Sequence, residues 1–154
     1  DWRLEEKIGR PLPEVHAPIQ GYEEQLSAGV DNFMNSLAPH TIYGRANWFV
    51  VASEELRYLP DDPPEQRFAH VTPANAGRTL IVRCERQTLR RLPESGAIVF
   101  TIGIYLAPLG SLSDENIARL AHSVSTVGGG EGERRSVPFY ADALRGYARS
   151  RLTE

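Results

Sequence analysis

Cysteine is nearly absent: Cys84 stands alone among 154 residues. A single thiol excludes an intrachain disulfide, a cysteine-held iron–sulfur cluster and a zinc ribbon on this chain. A reducing, cytoplasmic setting agrees with that, and Cys84 reads as a small buried strand residue, not a nucleophile. Basic excess is lacking as well. The 20 acidic residues outnumber 17 lysines and arginines, a formal net charge of −3, which argues against a general binder of nucleic acid or of membrane surfaces. No apolar run approaches the roughly 18 to 20 residues of a transmembrane helix, and residues 1–7 lack the apolar centre of a signal peptide. The chain is therefore expected to be soluble. It opens without methionine and is expected to be the later part of a longer protein.

The length bounds what the chain can build. A chain of 154 residues buries about 70% of its unfolded surface, enough for one domain with a core, and 1–154 is read as that single domain. Tyr22, Leu26, Val30, Phe33, Met34 and Leu37 recur at helical spacing, which predicts an amphipathic helix from 19 with one buried stripe, stopped by Pro39. The β-branched and aromatic stretch 42–52 predicts a strand. Turn-rich segments at 61–65 and 72–77 mark a long excursion from the sheet.

Residues 79–92 and 97–106 read as two strands joined by the four-residue loop 93–96, with glycine at its end. Ile98, Phe100, Ile102, Ile104 and Leu106 share one face of the second strand, expected to be core. A serine followed by two acids opens a helix over 113–127 that carries Ile117, Leu120, Ala121 and Val124 at helical spacing. Residues 128–133 read as a flexible glycine-rich linker. A last amphipathic helix spans 137–152, with Phe139, Tyr140, Leu144 and Tyr147 on one side. The order implies an α+β fold, an antiparallel sheet with helices packed against it.

Polar residues crowd the first strand of the hairpin. Arg83, Glu85, Arg86, Gln87, Arg90 and Arg91 lie in a segment whose pattern is otherwise that of a sheet. Alternation puts Ile81, Arg83, Glu85, Gln87 and Leu89 on one face and Leu80, Val82, Cys84, Arg86, Thr88 and Arg90 on the other. Two readings follow. Either one face is solvated and Arg83 and Glu85 form an exposed pair worth about 0 to 1 kcal/mol, or Arg83, Glu85 and Gln87 point into a pocket. In the second case Glu85 needs Arg83 or a bound cation as its partner. The hairpin register decides between them.

His40, His70 and His122 read as exposed. No metal-ligand spacing joins any of the four histidines, and no phosphate loop or nucleophile elbow occurs. His16 differs, because Pro11, Pro13 and Pro18 are expected to hold its segment extended and rigid just before a helix. It reads either as a structural histidine or as a haem axial ligand.

Three stretches resemble the haem-dependent oxidative N-demethylase α-subunit family. They are Lys-Ile-Gly-Arg-Pro-Leu-Pro-Glu-Val-His at 7–16, Arg-Ala-Asn-Trp at 45–48, and Arg-Cys-Glu-Arg-Gln-Thr-Leu-Arg-Arg-Leu-Pro-Glu-Ser-Gly at 83–96, which continues to Ile102. The resemblance covers residues 1 to about 108, leaves 109–154 as C-terminal helices, and is closer to fungal homologues than to bacterial ones. It departs from the family pattern at Gly103, where arginine is expected, and at Ile104, where threonine is.

The resemblance implies a PAS-like antiparallel sheet with flanking helices and haem between them, without the N-terminal strands of the full-length family. It implies His16 as the axial ligand of the haem iron, with Lys7, Arg10, Arg45 and Trp48 also at the cofactor. Glu85, Arg83 and Gln87 are then the catalytic candidates. The implied activity is that of a monooxygenase acting with dioxygen on a small secondary amine such as dimethylamine. Electrons come from NADPH through reductase subunits that carry flavin and an iron–sulfur cluster. The alternative is a non-catalytic PAS-type module that binds haem or another small ligand, or a homologue recruited to other chemistry.

Overall fold

A computed structural model describes residues 3–17, 19 and 21–152. Three strands form where β-branched and aromatic residues concentrate: β1 Tyr43–Val51, β2 Ile81–Arg91 and β3 Ile98–Pro108. They make one antiparallel sheet in the order β1-β2-β3, so β3 is an edge strand. Seven α-helices accompany it among the described residues: α1 Leu12–Val15, α2 Ser27–Ser36, α3 Pro64–Arg67, α4 Ala76–Thr79, α5 Asp114–Thr126, α6 Gly129–Arg134 and α7 Val137–Arg151. The α+β class expected from the sequence is the one observed.

Three contacts fix the hairpin register. Thr88 and Thr101 share a hydroxyl hydrogen bond of 2.6 Å. Leu92 N–H donates to the Ala97 carbonyl and Leu109 N–H to that of Leu80, each at 2.8 Å. The glycine ending the loop is needed there, because Gly96 takes φ +70°, which side chains disfavour. With these pairs in register, Arg83 lies across from Leu106, Glu85 from Ile104, Gln87 from Ile102 and Arg86 from Gly103. Residues directly opposite share a face, so the polar row of β2 and the apolar row of β3 lie on the same side.

The chain divides into two compact units. One holds Asp1–Asn47 and Arg86–Gly103, the other Trp48–Glu85 and Ile104–Glu154. The second unit contains the main core: Leu80, Leu109, Ile117 and Leu144 are wholly buried there, with Val50, Phe68 and Tyr140 among them. Each such side chain contributes about 1.5 to 3 kcal/mol relative to exposure. Ser113 caps α5 by accepting from Asn116 N–H at 3.3 Å, as its sequence predicts. Tyr147 threads between glycines 77 and 110, and a Cβ at Gly77 would stand 2.5 Å from its hydroxyl.

In the first unit, Arg91 ties α2 to the hairpin loop. Its guanidinium donates to the carbonyls of Leu37 at 2.9 Å, Met34 at 2.6 Å and Gly96 at 2.9 Å. A cation at a helix C-terminus satisfies carbonyls that have no partner within the helix.

Several expectations are corrected. The stripe along 22–37 is not buried throughout: Tyr22 and Leu37 are, while Leu26 and Phe33 are exposed, and a wider π turn over Tyr22–Leu26 precedes α2 and breaks the 3.6-residue period. The apolar face of β3 is half-buried and not core, with Phe100 exposed, as an edge strand with one neighbour allows. Cys84 is exposed: its row on β2 is covered at Val82 and opens from Cys84 toward Arg90. The excursion holds two helical turns, α3 and α4, and delivers Phe68 and Ala76 to the core.

Residues 128–133 are not a linker; 129–134 form α6, stabilised by ion pairs from Glu131 to Arg134 and Arg135. Phe139 is exposed, apart from buried Tyr140 and Leu144. The segment before His16 is helical and not extended, since Pro11 and Pro13 open α1. Proline is well tolerated in a first turn, where its missing N–H has no partner to lose. Pro18, the third proline of that expectation, lies outside the described residues, as do Asp1, Trp2 and Gln20.

Candidate functional site

His16 ends α1, half-buried. Its Nδ1 lies 2.9 Å from the Leu12 carbonyl, an acceptor only, so Nδ1 carries the proton and donates it. The neutral ring therefore keeps its lone pair on Nε2, the tautomer a metal ligand needs. The imidazole stacks on Tyr22 with centroids 4.5 Å apart and planes at 15°. Tyr22 is buried and its hydroxyl has no hydrogen-bond partner among the described residues. Burial first, and the Asp31 carboxylate second, raise its pKa. Lys7 Nζ donates to the Val15 carbonyl at 2.6 Å, which closes the loop that carries His16. Arg10 meets Glu14 at 3.7 Å in an exposed pair that contributes little.

On β2 the register settles the choice between a solvated and a covered polar row. Arg83 and Gln87 are buried, Glu85 is half-buried, and Cys84, Arg86 and Arg90 take the exposed side. Arg83 donates to the carbonyls of Glu55 at 3.1 Å and Leu56 at 2.8 Å. Its Nε lies 3.9 Å from Glu85 Oε1, with both side chains largely covered. The structure thus brings Arg83 and Glu85 together. Gln87 is engaged elsewhere: its Oε1 accepts from Arg45 Nε at 2.6 Å. Trp48 lies under the guanidinium of Arg135, 5.0 Å from the ring centroid, and its carbonyl accepts from the same arginine. The departure at Gly103 falls opposite exposed Arg86, so it leaves the row of Arg83 and Glu85 untouched.

Sequence reasoning missed a second polar group, around the junction of α6 and α7. Glu131 accepts from Arg134 at 2.8 and 2.9 Å and from Arg135 at 2.5 Å. These bonds, Arg134's first, pull its carboxyl from 4.5 down to about 2 against the opposing effect of burial. Glu85 adds its field to Glu131's at Arg134. Arg67 donates to the Tyr58 hydroxyl and, at 3.4 Å, to Ser136 Oγ. Tyr140 is buried with a hydroxyl that has no partner among the described residues, and burial raises it to about 12 although Arg135 acts the other way. The helix start at 137 is legible in the sequence, but the glycines before it hide α6 and its ion pairs.

Among the described residues no three histidine, cysteine, aspartate or glutamate side chains gather as a metal cage, and no helix is long and apolar enough to cross a membrane. Fold and geometry define a small α+β protein with a metal-competent histidine at a helix end and an ion pair set into a sheet. The chain belongs to the family described as haem-dependent oxidative N-demethylase, alpha subunit-like, whose family model matches residues 1–143. The match runs well past the resemblance legible up to residue 108, through α5 and α6 and into α7. The family's name carries dependence on haem, and an alpha subunit implies further subunits.

Proposed function

We propose that this chain is the haem-binding part of an oxidative N-demethylase that removes a methyl group from a small secondary amine such as dimethylamine. One observation carries the reading: the Nδ1–H of His16 is committed to the Leu12 carbonyl, and Nε2 is left as the coordinating atom. The residues present fit the group. A histidine that held haem iron would need its other ring nitrogen bonded and its ring plane fixed, and the Leu12 carbonyl and the Tyr22 ring do both for His16.

Bound haem supplies dioxygen binding and one-electron chemistry. The protein's own groups bind and orient. Glu85, half-buried beside Arg83, attracts the ammonium of the amine and can take its proton, while Arg83, anchored on two backbone carbonyls, holds that carboxylate in place. Lys7 fixes the loop of His16. Arg10, Arg45 and Trp48 belong to the same reading as residues at the cofactor, and Gln87 acts through Arg45.

Demethylation of a secondary amine by dioxygen consumes two electrons and two protons and yields a primary amine, formaldehyde and water. The electrons come from NADPH by way of partner subunits with flavin and an iron–sulfur cluster. The whole 154-residue chain is read as one haem-binding domain.

The test is an absorption spectrum. Haem added to the chain is expected to give a Soret band that is lost or shifted in His16→Ala, together with amine-dependent oxygen uptake by the wild type when an electron source is present. An unchanged spectrum in His16→Ala rejects His16. A normal Soret band without amine-dependent uptake leaves a haem-binding module without catalysis.

A further inference from the structure

Arg151, in the last turn of α7, pairs with Asp114, in the first turn of α5, at 2.7 Å, so the two helices lie side by side in opposite directions. Ile117, Val124, Tyr140 and Leu144 fill their buried side. Toward solvent the facing residues are Ala118 and Ala121 on α5 and Ala148 on α7, and methyl groups are too short to close the gap. A cleft of about 280 Å³ remains, and Leu152 completes its apolar lining. That leucine is 68% exposed, large and apolar though it is.

The rim of the cleft carries charge of one sign. His122 on α5 and Arg145 and Arg149 on α7 line it, and no acidic residue does. Arg145 pairs with Asp142, which lies outside the lining with its side chain 93% exposed. The ring of His122 has no hydrogen-bond partner among the described residues, while its backbone carbonyl accepts from Ser125 Oγ at 2.6 Å. Cations near the end of α7 complement the dipole of that helix. The dipole does not account for an apolar cleft beside them, or for a histidine facing it from the other helix.

Apolar walls with a few polar groups at one margin are the make-up of a small-molecule site. We infer that the cleft between α5 and α7 binds a small aliphatic carboxylate. The chain lies on the alanines and Leu152, and the carboxylate meets the positive rim of His122, Arg145 and Arg149. Size follows from volume: at roughly the 30 Å³ of a water-sized group, the cleft holds about nine non-hydrogen atoms. None of these residues enters the haem reading, and all of them lie in the unit of Trp48–Glu85 and Ile104–Glu154.

Heptanoate is the probe, titrated without haem into the whole nitrogen-15-labelled chain at constant pH and ionic strength, with binding read from amide shifts. Saturable shifts centred on residues 118–122 and 145–149 are expected. Acetate, which has the head without the tail, should bind at least about tenfold more weakly, and heptylammonium, with the tail but the opposite charge, likewise by about tenfold or more. His122, Arg149 and Leu152 are exposed, so their variants keep the fold, which unchanged melting temperatures would verify. The double variant His122→Gln, Arg149→Gln should raise the heptanoate dissociation constant severalfold, and so should Leu152→Ser. No saturable shift, shifts centred outside α5 and α7, equal binding of heptylammonium, or an unchanged constant in both variants would overturn the site.

Discussion

Arg45 and Gln87, 42 positions apart, meet through a 2.6 Å hydrogen bond from Nε to Oε1 that joins β1 to β2. Gln87 is buried and Arg45 exposed, so a buried amide anchors the guanidinium of an exposed residue. Gln87→Leu should therefore destabilise the chain by about 1 to 3 kcal/mol in urea unfolding, the cost of stripping a charged donor of its partner. Gln87→Glu should stay near wild type at neutral pH. A Leu variant as stable as wild type would show that the bond contributes nothing.

Arg83 spends its guanidinium on two backbone carbonyls and on Glu85. Lysine cannot reproduce that fork. Arg83→Lys should cost about 1.5 to 3 kcal/mol of stability, the usual worth of a hydrogen bond to a charged group, whereas Arg86→Lys on the exposed row should cost almost nothing. Paired chemical denaturation curves decide it.

Glu131 should give acid sensitivity a local origin. Its folded pKa is depressed from 4.5 to about 2, so its stabilising contribution is complete above the unfolded value and disappears as pH falls through the folded one. The gap in melting temperature between wild type and Glu131→Gln should be constant above pH about 5 and close between 4.5 and about 2. A gap that persists to the acid end would remove Glu131 from the account.

Alkaline behaviour should follow Tyr140. A phenol raised from 10.0 to about 12 by burial holds its proton longer in the folded state than in the unfolded one, so stability falls as pH rises from 10.0 to about 12. Tyr140→Phe should flatten this part of the profile. It should also raise the melting temperature slightly, since it deletes a buried hydroxyl that has no partner among the described residues.

Gly77→Ala should fail by overpacking. The added carbon would meet the Tyr147 hydroxyl at 2.5 Å and its ring carbons at 2.6 and 2.8 Å. A loss of about 1 to 3 kcal/mol is expected, with part restored by combining it with Tyr147→Leu, as thermal melts of the single and double variants would show.

Much of the fold was legible because local signals agreed with one another. Ser113 before two acids marked α5, and the loop 93–96 with its terminal glycine set the hairpin and hence the register. The register decided the face of Glu85, which strand alternation had left open. Burial was harder to read. Cys84 looked buried by residue type and is exposed, although Val82 in the same row is buried; cover changes along the row, which neither residue type nor alternation shows.

Residues 128–133 looked flexible because glycine disfavours helix by about 1 kcal/mol. The ion pairs of Glu131 and the stacking of Arg135 on Trp48 and Phe49 are long-range in part, and no local pattern announces them. His16 was recognisable as distinctive, but the helical turn that directs its Nδ1 to Leu12 was hidden by reading prolines as extended chain.

The edge position of β3 bears on how the protein behaves in a test tube. Among the described residues no strand pairs with its outer backbone groups, and Val99, Phe100 and Tyr105 stand exposed along it. Such an edge is a template on which further copies can add strand by strand. Concentration, more than temperature, should then set the useful lifetime of a purified sample, and a lysine at position 99 should lengthen it without touching the core.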